Sequence, residues 1–294
     1  MRYGFVGLGN MGGPMACRLA EQGQSVTAFD LSSSACEVVA ASGAAVAASV
    51  HELAGQVDAV FVCLPSIAAS TAMAEEFAAV TADNRTIQYY VEMSTIGKRA
   101  AEDIAAVLAP AGISLIDAPV SGGGSAVRAG ALTIMASGPR ATFDAVRPGL
   151  EVIGKRVIFV AEQQGLAQVM KLLNNMCALG QMAIAMEASA FGVKAGLDPD
   201  VLLEVLNSSS GRSGATRYVL PQVLHGQYET GATMQIAYKD VALCVAEAES
   251  EGVPMWLGAA VAQMWRHGVL HSGPDVDMGH LVDLINSWSR DEPN

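Results

Sequence analysis

The sequence is short of charge, and above all of positive charge. Asp, Glu, Lys and Arg make up only 16% of its 294 residues, against 51% hydrophobic ones. That balance excludes a disordered chain. Lys and Arg number 17 against 29 Asp and Glu, a formal net charge of −12. Such a surface repels phosphates and anionic lipid, so neither nucleic acid nor a membrane is expected as a partner. An anionic substrate would have to be met by local positive charge. The five cysteines (Cys17, Cys36, Cys63, Cys177 and Cys244) form no C-x-x-C pair and show no metal spacing. They read as small buried hydrophobes in a reducing cytoplasm. The five histidines likewise lack metal spacing. No basic and apolar leader precedes the first strand-like run, so no secretory signal is expected. The most apolar stretch, 176–193, is interrupted by Gln181, Glu187 and two glycines, which argues for a buried helix rather than a membrane span.

What is present is a change of pattern along the chain. Runs of strand length rich in Val, Ile, Phe and Tyr fall at 3–7, 25–30, 59–65, 87–93 and 115–120, with further candidates at 132–137 and 157–160. Helix-like stretches such as 11–22, 71–80 and 98–109 lie between them. Alternation of this kind predicts a parallel sheet covered on both faces. Past residue 162 only helical stretches remain, at 165–195, 199–208, 237–252, 257–267 and 280–289. The expectation is α/β: a doubly wound, Rossmann-type sheet domain over 1–162, followed by an all-helical domain over 163–294 for substrate and oligomer contacts. The apolar excess predicts a homodimer or homotetramer.

Gly7-Leu8-Gly9-Asn10-Met11-Gly12 follows the first strand and opens a helix. The first glycine permits a tight turn, the second lets backbone approach a pyrophosphate, and the third lets helix pack close on strand. The helix N-terminus then offers N–H groups to the phosphates. Asp30 ends the second strand at the spacing expected of a ribose-binding carboxylate, and no arginine follows to take a 2′-phosphate, so NAD is the expected cofactor. The plain alternative is an ordinary turn with Asp30 capping it.

Gln164, Gln168, Lys171 and Asn175 recur at spacings of four, three and four, and so share a helix face. Oxidising an alcohol requires a group to take the hydroxyl proton. A lysine whose ordinary pKa is about 10.4 becomes fit for that role when desolvated. A surface lysine reaching to water is the competing reading. Ser121-Gly122-Gly123-Gly124 follows a strand end, where backbone N–H groups suit a carboxylate, or where a loop is simply flexible.

Taken together, these segments resemble the β-hydroxyacid dehydrogenases, which include 3-hydroxyisobutyrate dehydrogenases and tartronate semialdehyde reductases. The resemblance is carried by Gly7–Gly12, Leu64-Pro65, Met93-Ser94-Thr95, Asp117–Gly123, Lys171–Asn175, Asn207–Ser213 and Lys239-Asp240. It implies that Lys171 is the catalytic lysine and Asn175 its companion. Ser121, Gly122 and Gly123 would bind the substrate carboxylate. Thr95 and Lys239 would lie beside the nicotinamide and substrate, with Leu64 and Pro65 lining the cofactor site. Two departures concern the substrate: Ala167 stands where relatives usually carry glycine, and Ile96-Gly97-Lys98 follows Thr95 where serine-proline is frequent. The implied reaction is hydride transfer between NAD and a small 3-hydroxy carboxylic acid. Rival readings are reduction of tartronate or succinic semialdehyde, an imine reductase, which Lys171 disfavours, or an NAD-binding regulator without activity. The roles of Lys98 and Arg212 stay open.

Overall fold

The computed structural model describes residues 1–288. They divide into two compact units, Met1–Lys171 and the chain from Leu172 onward. In the first unit lie β1 (Tyr3–Val6), β2 (Val26–Phe29), β3 (Ala45–Val46), β4 (Ala59–Val62), β5 (Tyr89–Glu92), β6 (Ser114–Asp117), β7 (Val120–Ser121), β8 (Leu132–Ser137) and β9 (Gly154–Ala161). They form one sheet in the order β3-β2-β1-β4-β5-β6-β8-β7, with β9 paired to β8. Strands β1 to β6 are parallel, and β8 runs antiparallel to both β6 and β7. Strand order reverses between β1 and β4, and ligands of doubly wound sheets bind beyond the strand ends at that point.

Helices on both faces explain why β1 and β4 are apolar and buried throughout. Period-two alternation sends Phe5, Phe61, Val91 and Ile116 into one core, and Val6, Val60, Tyr90 and Leu115 into the other. The helix Arg140–Ile153, which escaped the sequence reading, carries Pro148 in its interior. The two-residue β3 is exposed and leaves no apolar signature.

The helix Leu166–Lys194, hereafter the lysine helix, contains the boundary between the units. The second unit continues with Pro199–Ser208, a π-helical turn (Ala215–Val219) that leads into Leu220–Leu224, and then Met234–Ser250, Trp256–Ser272 and Leu281–Trp288. Asp198 and Thr233 cap two of these helices, and Pro199 occupies a first-turn position. Residue 289, the end expected for the last helix, lies outside the described residues. Leu172, Met176, Met186, Trp265 and Leu281 lie at the centre of this unit's core. The lysine helix is long and apolar enough to cross a membrane, but one face of it is built into that core. The unit boundary falls at Lys171, beyond the residue 162 expected from loss of strand patterning, because the helix's first turns bond to the sheet unit.

Candidate active site

The turn after β1 has the geometry its glycines suggest. Gly7 has φ +86°, and a Cβ there would stand 2.2 Å from the Cys63 carbonyl oxygen at the end of β4. A Cβ on Gly12 would stand 1.8 Å from the Gly7 oxygen, so helix and strand can meet this closely only without one. Gly9 differs: a Cβ there would meet nothing within 4 Å. Gly9 and Asn10 are exposed and Met11 half-buried. The helix Gly12–Glu21 has no side-chain cap bond and no acidic residue in its first turn. This is a cradle for an anion: open backbone at a helix N-terminus whose partial positive charge is left for a ligand.

Asp30, one residue past β2, is tied to this turn. Its Oδ2 accepts a bond from Leu8 N at 2.6 Å, and Oδ1 accepts one from Ser32 N at 2.8 Å. A carboxylate has about four acceptor positions, so capacity remains for ribose hydroxyls. Leu64, past the end of β4, donates its N–H to Ser94 Oγ at 2.8 Å, and Pro65 follows it exposed. The Gly7, Asp30, Leu64 and Thr95 segments thus gather at the C-terminal ends of β1, β2, β4 and β5, and a dinucleotide fits the residues present.

The lysine helix begins against the neighbouring strand ends. Asp117, the last residue of β6, accepts Gly165 N (2.9 Å) and Gln164 Nε2 (3.2 Å) on Oδ1. On Oδ2 it accepts Gln168 N (3.3 Å) and the Ser137 hydroxyl (2.8 Å). Ser137 Oγ in turn accepts Ala167 N at 2.7 Å. A helix leaves its first four N–H groups without intrahelical partners. Here β6 and β8 satisfy three at this end with a carboxylate and a hydroxyl brought from far along the chain. Lys171, one turn further on, is buried at 9% exposure. Asn175, half-buried on the same face, donates from Nδ2 to Asp240 Oδ2 at 2.6 Å. Lys239 pairs with Asp240 Oδ1 at 3.2 Å. Asp240, itself 4% exposed, therefore ties together the two second-unit residues expected at the site.

Ser121 ends β7 against Thr133 of β8. Gly122 and Gly123 then turn into a short helix, and Gly123 has open space where a side chain would be, as Gly9 does. Ala167 is fully buried, and Lys98 lies at the start of the helix Lys98–Leu108 with its backbone against Gly165.

The strand ends also hold buried carboxyls. Glu92, the last residue of β5, is fully buried, and desolvation raises its pKa to about 7 against hydrogen bonds from Ser94 and Ser70 that favour the ionised form. Burial likewise pushes Asp117 above the ordinary carboxylate range, although the bonds it accepts pull it back. The two residues are register partners on adjacent strands, and Asp117's charge further opposes ionisation of Glu92.

The sequence reading passed over Glu92, Asp117, Ser137 and Asp240 as acting groups. Asp117 and Asp240 were seen only as members of motifs. A carboxylate within an otherwise apolar strand end was the signal for Glu92 and Asp117, since buried charge needs partners.

Comparison with known proteins agrees with this geometry. Residues 2–161 match the family described as the NAD-binding domain of 6-phosphogluconate dehydrogenase. Residues 165–285 match the family described as NAD-binding of NADP-dependent 3-hydroxyisobutyrate dehydrogenase. The 3-hydroxyisobutyrate dehydrogenase of Pseudomonas aeruginosa is 35% identical over 93% of this chain and 93% of its own. The 2-(hydroxymethyl)glutarate dehydrogenase of Eubacterium barkeri is 33% identical over 91% of this chain and 89% of its own. Among solved structures, the Mycobacterium tuberculosis 3-hydroxyisobutyrate dehydrogenase with L-serine superposes with a TM-score of 0.87 at 26% identity, covering 97% of this chain and 99% of that one. With a glycine cradle for a dinucleotide at one set of strand ends and a buried lysine anchored at the next, the chain belongs to the β-hydroxyacid dehydrogenase family of NAD(P)-dependent oxidoreductases.

Proposed function

We propose that the chain oxidises a small 3-hydroxy carboxylic acid of the 3-hydroxyisobutyrate type, or reduces the matching semialdehyde, using NAD. The observation that carries this reading is the setting of Lys171: buried at 9% exposure, one turn beyond a capped helix start, with Asn175 on the same face and held by Asp240. The bound nicotinamide supplies the hydride chemistry. Lys171 takes the substrate's hydroxyl proton in oxidation and returns it in reduction. Asn175 and Lys239 orient the substrate and balance charge near it. Ser121 and the amides of Gly122 and Gly123 hold the carboxylate.

Asp30 supports NAD over NADP, because a carboxylate beside the ribose repels a 2′-phosphate. Leu31, next in sequence, offers a 96% exposed apolar face to a flat ring. A cytoplasmic setting agrees with five cysteines among which no disulfide forms. A homodimer or homotetramer is supported by the apolar stripe that the lysine helix exposes, with Leu173 at 46%, Ile184 at 66% and Phe191 at 76% exposure.

The test is nicotinamide absorbance with purified protein, NAD or NADP, and a panel of 3-hydroxy and 4-hydroxy acids, run beside Lys171→Ala. NAD-linked turnover on a 3-hydroxy acid is expected, with a roughly 10²–10⁴-fold lower kcat in the variant and little change in NAD affinity. Native turnover by Lys171→Ala would remove the lysine from the mechanism, and silence across the panel with NAD bound would point first to a substrate outside the panel and only then to the regulator.

A further inference from the structure

Gln168 is fully buried, and its carboxamide makes three bonds to one loop. Oε1 accepts Ile96 N at 3.0 Å and Gly97 N at 3.3 Å, and Nε2 donates to the Ser94 carbonyl oxygen at 3.0 Å. These peptide groups stand on either side of Thr95. Gln168's own N–H is held by Asp117 Oδ2 at 3.3 Å, and Lys171 follows three residues later on the same helix face. The loop is anchored a second time from below: Ser94 N donates to Glu92 Oε1 at 2.8 Å, and Ser94 Oγ accepts Leu64 N at 2.8 Å. A single planar group thus fixes the two peptides around Thr95 to the turn of helix immediately before Lys171.

We propose that Gln168 is a positioning residue for hydride transfer: it sets the placement of Lys171 relative to the Ser94–Gly97 loop. The proposal rests on the reading of Lys171 as the proton-transfer group. Its physical basis is that reacting groups misplaced by about 1 Å lose on the order of 10²-fold in rate. An apolar side chain of similar size would fill the space and leave the loop and helix free to shift against each other. It would also leave Ile96 N, Gly97 N and the Ser94 carbonyl without their present partner.

The experiment is a double-mutant cycle of Gln168→Leu and Lys171→Ala, with kcat, NADH dissociation constant and Tm read for all four proteins. In the native background Gln168→Leu is expected to lower kcat roughly 10–100-fold with the NADH constant within about threefold. In the Lys171→Ala background the same change should lower the residual kcat less than about threefold, since a residue acting through Lys171 has nothing left to act on. Native kcat in Gln168→Leu, or an equal loss in both backgrounds, overturns the proposal. Native turnover in Lys171→Ala refutes the reading of Lys171 instead, so the two failures are distinct. Gln168→Glu gives a second test should the leucine variant fold poorly. As a neutral acid it keeps both the acceptor for Ile96 and Gly97 and a donor for Ser94, and on ionising it loses the donor. Its kcat at pH 6, where the neutral acid is favoured, should lie well above that of Gln168→Leu, and a kcat as low as the leucine variant's at every pH from 6 to 9 counts against the proposal.

Discussion

The lysine helix is fixed differently at its two ends. Its start is held by directed bonds, with Asp117 and Ser137 reaching the amides of Gly165, Ala167 and Gln168, and Gln168 reaching back to the Ser94–Gly97 loop. Past Leu172 the Asn175–Asp240 bond gives way to packing, with Met176, Leu179, Met182 and Met186 in the helical core, while Leu173, Ile184 and Phe191 stay exposed. Directed bonds fix rotation and register about a named residue, whereas apolar packing fixes burial and tolerates sliding and repacking. The end that carries Lys171 is the end built for placement.

Removing the clamp should be the costliest way to break this contrast. Asp117→Ala strips the acceptor from Gly165 N, Gln168 N, Gln164 and the Ser137 hydroxyl together. Buried groups left without partners cost about 1–3 kcal/mol each, so a loss of roughly 3–5 kcal/mol in urea unfolding is expected. A cost below about 1 kcal/mol would mean that water replaces the carboxylate and that the clamp is not what fixes this end.

The same contrast decides what the sequence disclosed. Elements whose identity lies in local pattern were readable: the apolar runs that become β1, β4 and β8, the glycine turn, and the helices introduced by Asp198-Pro199 and by Gly165. That Lys171 and Asn175 share one helix face was readable too, because helical spacing alone puts them there; the roles proposed for them came from the family resemblance. The clamp was not, since Gln168 finds its partners more than 70 residues back and Gly165 finds Asp117 at a separation of 48. No local pattern encodes such a pairing. Nor was the helix Arg140–Ile153, where Pro148 breaks a local rule and packing of Phe143, Val146 and Leu150 overrides it. Polar residues inside apolar strand ends were the available clue, and they show that a partner must exist without showing which.

The apolar end gives the next test. Leu173, Ile184 and Phe191 are spaced by eleven and seven residues, so they line one side of the helix. Phe191→Glu places a charge on that stripe at a position 76% exposed, where the protomer's own fold loses little. Light scattering at micromolar concentration should show native protein as a dimer or tetramer and the variant shifted toward protomers. A variant of native mass would take the stripe out of the subunit contact, and a native protein already monomeric would end the oligomer proposal.

The smallest effect expected is one that only pH reveals. Glu92 titrates near pH 7 in the folded chain against an ordinary 4.5, so between those values the unfolded chain releases its proton first. The native state then binds more protons than the unfolded one, and stability falls as pH rises through that window. Above pH 7 the folded protein carries a buried carboxylate beside Asp117 and Tyr90, with Oε2 lacking a partner. Glu92→Gln keeps an acceptor for Ser94 N and never ionises. Any constant cost of the amide is the same at every pH, so the informative quantity is how the Tm difference between variant and native changes. It should move in the variant's favour by roughly 3–6 °C from pH 5 to pH 8 and then level off. A difference independent of pH would mean that Glu92 is ionised throughout, its hydrogen bonds from Ser94 and Ser70 outweighing its burial, so that a charged rather than a neutral acceptor anchors the Ser94 loop.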